Sequence, residues 1–373
     1  MSGVFVTGAN GFLGSYAVDW ILRNTDSTVF AMVRAPDERA AVGRLWEAMQ
    51  FHLDEDGFRA VLPRLVPVLG DLHAPDLGLP PAARARVLDE ADSVLHIAAS
   101  LNRKSDKACF NTNLRGTLSV VKLAMAMAAR GTLRRFTDVS TAAVAGKRHG
   151  EVVGEDDTVD WDRSDYDPYA RTKKFAEHLS HELLPADRVV VLRPTTVMGD
   201  SRHGRSWQTD MTRAFVALAD LPIVPVRQHA RMDIVPGDFV GPAIGELHCK
   251  PALRWDAYSL SAGVDSATYR TISQAMAGVK AVRFAGRLGR PFEWSVRAMN
   301  RLPRGPAQQI GAVMKVFWPY IVYDTVFDNT RVRTELGRGP ARFESYCADM
   351  YRFAKEVGFV NRPRPWVEGP HSH

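Results

Sequence analysis

Thr7-Gly8-Ala9-Asn10-Gly11-Phe12-Leu13-Gly14 follows the apolar run Val4-Phe5-Val6 and opens a helix-like stretch. Strand, glycine-rich turn and helix, in that order, are what a dinucleotide pyrophosphate requires. Glycines let the backbone approach the phosphates, and the helix N-terminus presents free N–H groups with a partial positive charge. The stretch therefore places Thr7, Gly8, Asn10, Gly11, Phe12, Leu13 and Gly14 at a bound cofactor. Glycine turns are common, but this one is joined far downstream by Tyr169-Ala-Arg-Thr-Lys173.

Outward from the turn, short apolar runs alternate with helical patterns. Strands are predicted at Val4–Thr7, Val29–Val33, Leu65–Leu69, Ser93–Ile97, Arg135–Val139 and Val189–Leu192. Helices are predicted between them, at Tyr16–Asn24, Arg39–Phe51, Pro81–Glu90, Leu114–Ala129 and Tyr169–Leu184. Repeated βα units with right-handed crossovers make an α/β fold, a Rossmann-type doubly wound parallel sheet. After Arg193-Pro194 the alternation loses its rhythm, so residues 1–194 are expected to bind the cofactor. Residues 195–373 are expected to form a smaller, mostly C-terminal substrate lobe, with 231–245 returning to the first domain. Glu344–Gly358 reads as a closing helix, followed by a frayed Pro-rich tail in which His371 and His373 are solvated rather than metal-bound.

A chain of 373 residues is long enough for one large α/β domain with an appended lobe. The net charge of +6 suits anionic ligands such as phosphorylated cofactors and is too small and dispersed to argue for nucleic acid. Cys109, Cys249 and Cys347 are scattered, as expected of reduced thiols in a cytoplasmic protein. The first strand starts at Val4, which leaves no room for a leader peptide. The longest apolar stretch, Ile310 to Val326, is broken by Lys315, Pro319 and Asp324. It is too short and interrupted to span a bilayer, though it suits peripheral contact with a membrane surface.

The second strand ends at Met32-Val33-Arg34, with no acid until Asp37. An acid here would hold the ribose hydroxyls of NAD, whereas an arginine accommodates the 2′-phosphate of NADP. Arg34, with Arg44 as a second contact, therefore predicts NADPH/NADP. Asp71, in Gly70-Asp71-Leu72, is placed to accept from the adenine amino group. Ala98, Ala99 and Ser100 are small enough for the backbone to approach the nicotinamide ribose.

Tyr169 and Lys173 are four residues apart and share one helix face. A phenol is a weak acid near pH 10, and a neighbouring ammonium stabilises phenolate, which makes the pair useful for proton transfer. Pro168 suits the helix's first turn, with Asp167 as its cap. A hydroxyl from the turn after the fifth strand, Ser140 or Thr141, would hydrogen-bond a substrate oxygen as charge develops there. Asn113 either holds a backbone or water relay behind the lysine or caps its own helix.

Thr7–Gly14, Asn113-Leu-Arg-Gly-Thr117, Val139-Ser-Thr-Ala-Ala143 and Tyr169–Lys173 together resemble the extended short-chain dehydrogenase/reductase superfamily over roughly the first 240 residues. The resemblance implies Tyr169 as general acid/base, Lys173 on the nicotinamide ribose, and Thr141 polarising the substrate oxygen. It assigns Thr141 because that residue lies five positions before the loop glycine, Gly146. It also implies cofactor contacts at Leu72, Pro194, Thr195 and Val197. Leu192–Ser201, Arg231–Pro236, Tyr258–Gly263 and Trp318–Thr330 are more similar to the fatty acyl-CoA reductase and thioester reductase branch than to sugar-nucleotide enzymes.

That branch implies NADPH-dependent reduction of an acyl thioester, carried on CoA or an acyl carrier protein, to aldehyde, with alcohol as the alternative product of a second reduction. The same residues would serve on a ketone or secondary alcohol of a hydrophobic substrate, or less readily in sugar-nucleotide epimerisation. A cofactor-sensing scaffold is a further class, disfavoured because Tyr169 and Lys173 are both present. Arg283, Arg287, Arg290, Arg297 and Arg301, with the single acid Glu293 among them, read either as a solvated helix face or as a surface for an anionic carrier. A homodimer through helices of the first domain follows from the resemblance.

Overall fold

The computed structural model describes residues 2–206, 209–303, 305–359 and 362–367. His371 and His373 lie outside them. Seven strands make the central sheet: β1 (Gly3–Thr7), β2 (Thr28–Val33), β3 (Leu65–Leu69), β4 (Ser93–His96), β5 (Arg135–Val139), β6 (Val189–Pro194) and β7 (Ala257–Leu260). Their order is β7-β6-β5-β4-β1-β2-β3, all parallel. The reversal of direction at β1 and β4 opens a crevice at the carboxyl ends of the strands, where ligands of such sheets bind.

Strands β1, β2, β3 and β6 read as nearly unbroken apolar runs because both sheet faces are covered. Val4 and Val6 face one core, with Ala17, Val18 and Ile21 of α1 (Phe12–Asn24). Phe5, Phe30, Val94 and Phe136 face the other, with Val120, Val121 and Ala124. On the first face lie α1 and α2 (Glu38–Met49); on the second lie α3 (Pro81–Glu90) and α4 (Thr117–Ala129). The predicted helix over 114–129 is split: residues Phe110–Gly116 form a π-helical turn before α4 begins. Such turns interrupt regular helices mostly at functional sites.

Helix α5 (Pro168–Leu183) starts where the sequence places it, with Pro168 in its first turn and the Asp167 carboxylate accepting from the Ala170 N–H at 2.9 Å. Beyond β6, α6 (Thr209–Ala219) leaves the sheet, and α7 (Gly237–Cys249) returns to pack on α1. Residues 257–260 return as well, to form the edge strand β7. A separate core joins α6, α8 (Gly289–Met299), α9 (Pro306–Val322) and α10 (Cys347–Val357), built on Phe215, Val296, Trp318, Phe343, Tyr346 and Met350. The apolar side chains Met314, Trp318 and Ile321 of α9 are buried in that core rather than offered to a surface. No helix among the described residues is long and apolar enough to cross a membrane.

The Pro-rich tail is docked over 362–367 instead of frayed. Trp366 packs between Trp46 and Phe58, at centroid distances of 5.4 and 4.8 Å. The Arg364 carbonyl accepts from Trp46 Nε1 at 2.9 Å, and the Arg364 N–H donates to Gln50 Oε1 at 2.8 Å.

Candidate active site

A cleft of about 650 Å³ runs along the carboxyl ends of the strands. One end is the glycine turn. Gly8 has φ of +78°, and a Cβ there would sit 2.7 Å from the Ala98 nitrogen. A Cβ on Gly14 would run into the Gly8 carbonyl. Only glycine satisfies both positions, so β1, α1 and the loop after β4 close around a space that admits phosphate against bare backbone. The residues fit a dinucleotide pyrophosphate at the start of α1.

Most residues expected at the cofactor line this cleft: Gly8, Asn10, Gly11, Phe12, Leu13, Gly14, Arg34, Arg44, Asp71, Leu72, Ala98, Ala99, Ser100, Tyr169, Pro194, Thr195 and Val197. Arg34 and Arg44 are exposed at its far end, where Arg44 Nη1 donates to the Arg34 carbonyl. Asp71 lies 3.9 Å from Arg34 and accepts from the His73 N–H at 2.9 Å, so its carboxylate is already engaged.

Thr7, Asn113 and Lys173 do not line the cleft; they lie behind its wall. Thr7 Oγ1 donates to His96 Nδ1 at 2.6 Å, and His96 Nε2 donates to Thr117 Oγ1 at 2.9 Å. Burial, with Lys173 adding to it, pushes the His96 pKa down to about 3, so the imidazole is a neutral strut between β1 and α4. Asn113 caps no helix: it lies inside the π-helical turn, and its Nδ2 donates to Thr172 Oγ1, next to Lys173, at 3.2 Å. Its side chain accepts from the Ser100 N–H at 2.6 Å and donates to the Ser100 carbonyl at 3.2 Å, which clamps the loop at the end of β4. The π-helical turn gives it that reach.

At the other end of the cleft, Thr141 and Tyr169 come together with Ser140. Thr141 Oγ1 accepts from the Ala143 N–H at 3.2 Å, which leaves its own proton free to donate. The Ser140 hydroxyl is buried with no partner among the described residues. Lys173, one turn beyond Tyr169, is 1% exposed and pairs at 3.1 Å with Asp138, which is 0% exposed. Asp138 is therefore a site residue that motif reading does not reveal.

Three further residues complete this end and escape sequence reasoning. The Arg103 guanidinium lies 4.3 Å from the centroid of the Tyr169 ring and is paired with Asp167 at 3.0 Å. Tyr320 of α9 stacks on Tyr166 at 4.5 Å and, with Tyr323 and Phe327, makes an aromatic wall. Asp233 accepts from Thr195 Oγ1 at 2.8 Å, the Ala262 N–H at 2.8 Å and the Phe327 N–H at 3.1 Å, tying that wall to the sheet. Burial raises the Asp233 pKa to about 6, against these three bonds. No cluster of metal-ligating side chains occurs among the described residues.

The fold has close solved counterparts. The terminal R domain of the myxalamid PKS-NRPS pathway superposes with a TM-score of 0.81 at 24% identity, covering 98% of this chain and 93% of that one. In sequence, the chain is 30% identical over 279 residues to the isonitrile lipopeptide synthase of Mycobacterium tuberculosis, 67% of this chain and 11% of that protein. It is 28% identical over 253 residues to the aldehyde reductase lnaA of Aspergillus flavus, 65% of this chain and 24% of that protein. The chain thus spans a quarter or less of the length of these curated relatives. A family model matches from the first glycine turn through the cleft-lining loops and into α7, residues 6–244, and by that match the chain belongs to the NAD-binding family described as male sterility protein.

Proposed function

We propose that this chain uses NADPH to reduce an acyl thioester, on CoA or a carrier protein, to an aldehyde and onward to the alcohol. The observation that carries the reading is a single cleft lined by Thr141 and Tyr169 together with the glycine turn. An aromatic wall of Tyr166, Tyr320, Tyr323 and Phe327 beside them suits an apolar acyl chain. The relatives' names, an aldehyde reductase and an R domain, support the same chemistry.

When bound, the nicotinamide supplies hydride to the thioester carbonyl carbon. Thr141 donates a hydrogen bond to the carbonyl oxygen, and Tyr169 gives that oxygen its proton as negative charge builds. Tyr169 takes the proton back as the hemithioacetal collapses to aldehyde and thiolate, and the leaving thiolate takes a proton from water. Lys173 supplies positive charge one turn beyond Tyr169 and would hold the nicotinamide ribose of a bound cofactor. Asn113 holds the Ser100 loop in place as the cofactor's floor. Arg34 and Arg44 carry the preference for a 2′-phosphate, because Asp71, the nearest carboxylate, is engaged by Arg34 and its own turn.

Residues 1–194 with 231–245 are the cofactor side of this arrangement and the remainder the substrate side. Arg283, Arg287, Arg290, Arg297 and Arg301 are all exposed, and Trp294 beside them is 74% exposed, which suits the phosphates of CoA or an acidic carrier. Trp161, in the loop before α5, and Phe175 of α5 are exposed side by side, which suits a homodimer.

The test follows NADPH oxidation on acyl-CoAs of increasing length while free thiol is titrated in the same cuvette. NADPH loss matched by thiol supports aldehyde as product, and a ratio near two supports alcohol. Turnover on ketones without thiol release would replace the thioester reading with carbonyl reduction. Tyr169→Phe is expected to abolish turnover on either substrate while cofactor binding persists.

A further inference from the structure

Arg103 sits on the loop after β4, and its side chain is almost enclosed. It makes three contacts at once. Its guanidinium covers the face of the Tyr169 ring, and its Nη1 donates to Asp167 Oδ2 at 3.0 Å and to the Tyr320 hydroxyl at 2.6 Å. The Tyr320 hydroxyl in turn donates to Asp167 Oδ2 at 2.9 Å. Asp167 Oδ1 is the cap of α5, the helix that carries Tyr169. One carboxylate therefore joins the helix start, the cation over the phenol and a side chain from α9.

The directions of these bonds are settled by the chemistry of the groups. Burial holds the Tyr320 pKa well above the usual phenol range, with Asp167 adding to that and Arg103 opposing it. Tyr320 thus keeps its proton, donates it to Asp167 and accepts from Arg103. Burial disfavours the charge on Arg103, but Tyr320, Asp167 and Tyr169 outweigh it. A guanidinium is the group for this place, since its flat fork can lie on a ring and still donate at its edge. A cation, a carboxylate and a hydroxyl, each partly buried, meet here at the cleft wall.

We propose that Arg103 is a positioning residue for Tyr169, and that Tyr320 holds Arg103 there, so that the substrate side of the cleft fixes the orientation of the proton donor. The inference rests on the reading of Tyr169 as that donor. It differs from the alternative use of a cleft arginine, direct recognition of an anionic part of the substrate. A recognition group acts on KM, whereas a group that orients the donor acts on kcat.

Arg103→Met, Arg103→Lys, Tyr320→Phe and the double variant Arg103→Met/Tyr320→Phe are compared with wild type in steady-state kinetics on an acyl-CoA. A stacked cation and its network are worth roughly one to two tenfold steps, so Arg103→Met is expected to lower kcat about 50-fold with both KM values within about twofold. Tyr320→Phe should lower kcat about fivefold, and the double variant should be no slower than Arg103→Met, because Tyr320 acts through Arg103. Arg103→Lys should recover part of the loss, having the charge without the fork. An unchanged kcat with a raised thioester KM would overturn the inference, as would losses that multiply in the double variant. If Arg103→Met does not fold, Tyr320→Phe decides, since it deletes one hydroxyl and keeps the stack on Tyr166; wild-type kcat there overturns the proposal. Tyr169→Phe run alongside separates the two claims. Its inactivity with wild-type kcat in the Arg103 and Tyr320 variants removes only this inference, and its activity removes both.

Discussion

Two cations flank Tyr169, and they are held in opposite ways. Lys173 points into the sheet, where Asp138 on β5 meets it in a pair that water does not reach. Arg103 lies on the cleft side, held by Asp167 from the catalytic helix and Tyr320 from α9. The first pair is internal to one βα unit, so its geometry comes with the fold. The second gains its third member, Tyr320, only when the end of α9 packs over the cleft. The same charge beside the same phenol is in one case a part of the core and in the other a report on the substrate side.

The largest expected effect comes from breaking the lower pair. Asp138→Leu or Lys173→Met alone leaves one buried charge unopposed, at a cost of about 3–5 kcal/mol. Removing both charges together should recover most of that loss, because two apolar side chains of similar volume need no partner. Urea melts of the three variants check this, and a double variant as unstable as the worse single one would show that the pair is not what holds Asp138 in place. The upper pair should behave differently. Tyr320→Phe is expected to change stability by no more than about 1 kcal/mol, the net worth of a hydrogen bond, while it slows turnover.

This contrast also explains what is legible in the sequence. Lys173 is legible because a helix brings positions four apart onto one face, and the strands around it are long apolar runs. Arg103 is not, because its partners are 64 and 217 residues away and no local pattern marks an arginine in a loop. Asn113 is visible as a residue, but its grip on the Ser100 backbone 13 positions away is a contact that local spacing does not show. Strand β7 escapes because Ala-Tyr-Ser-Leu is short and half polar, and its pairing to β6 is set by the rest of the sheet. The docked tail escapes for the same reason as Arg103: Trp366 meets Trp46 across most of the chain.

A pH experiment sharpens the comparison further, because two buried carboxyls, Asp233 behind the aromatic wall and Glu155 on the Ser259 and Arg331 N–H groups, are held mainly by uncharged donors. Burial holds Asp233 at about 6 and Glu155 at about 7, above the ordinary carboxyl range. Each binds its proton more tightly in the folded chain than in the unfolded one. Their contribution to stability is therefore complete below about pH 4 and is lost as the pH climbs through 6 and 7, the reverse of a salt-bridged carboxylate. For Asp233 the loss is up to about 3 kcal/mol. Urea midpoints at pH 5 and pH 8 should show the fall, and Asp233→Asn should flatten it. A midpoint that rises between those pH values would contradict the assignment.

At the cofactor's far end the expected effects are smaller, because Arg34 and Arg44 are exposed and screened. Arg34→Ala should cost about tenfold in NADPH affinity and leave NADH affinity nearly unchanged, measured by quenching or calorimetry with each cofactor; equal losses for both would mean that Arg34 touches the shared part of the nucleotide.

The smallest expected effect concerns the tail, which reaches the same end of the cleft from behind. Helix α2 carries Arg44 on one side and Trp46 on the other, and Trp46 is where the tail binds. Arg59 completes the seat, its guanidinium 4.8 Å from the Trp366 ring. Trp366→Ala removes the ring contacts with Trp46 and Phe58 but leaves the Arg364 backbone bonds, so the stability loss should stay near 1–2 kcal/mol. Because α2 then loses a brace, NADPH affinity should weaken by about two- to threefold, and Arg44→Ala should remove that further dependence. If Trp366→Ala weakens NADPH binding equally with and without Arg44, the tail acts on the cleft by some route other than α2. If it does not weaken binding at all, the tail braces the fold alone, and the cofactor end of the molecule differs from the catalytic end in having no distant segment that sets its geometry.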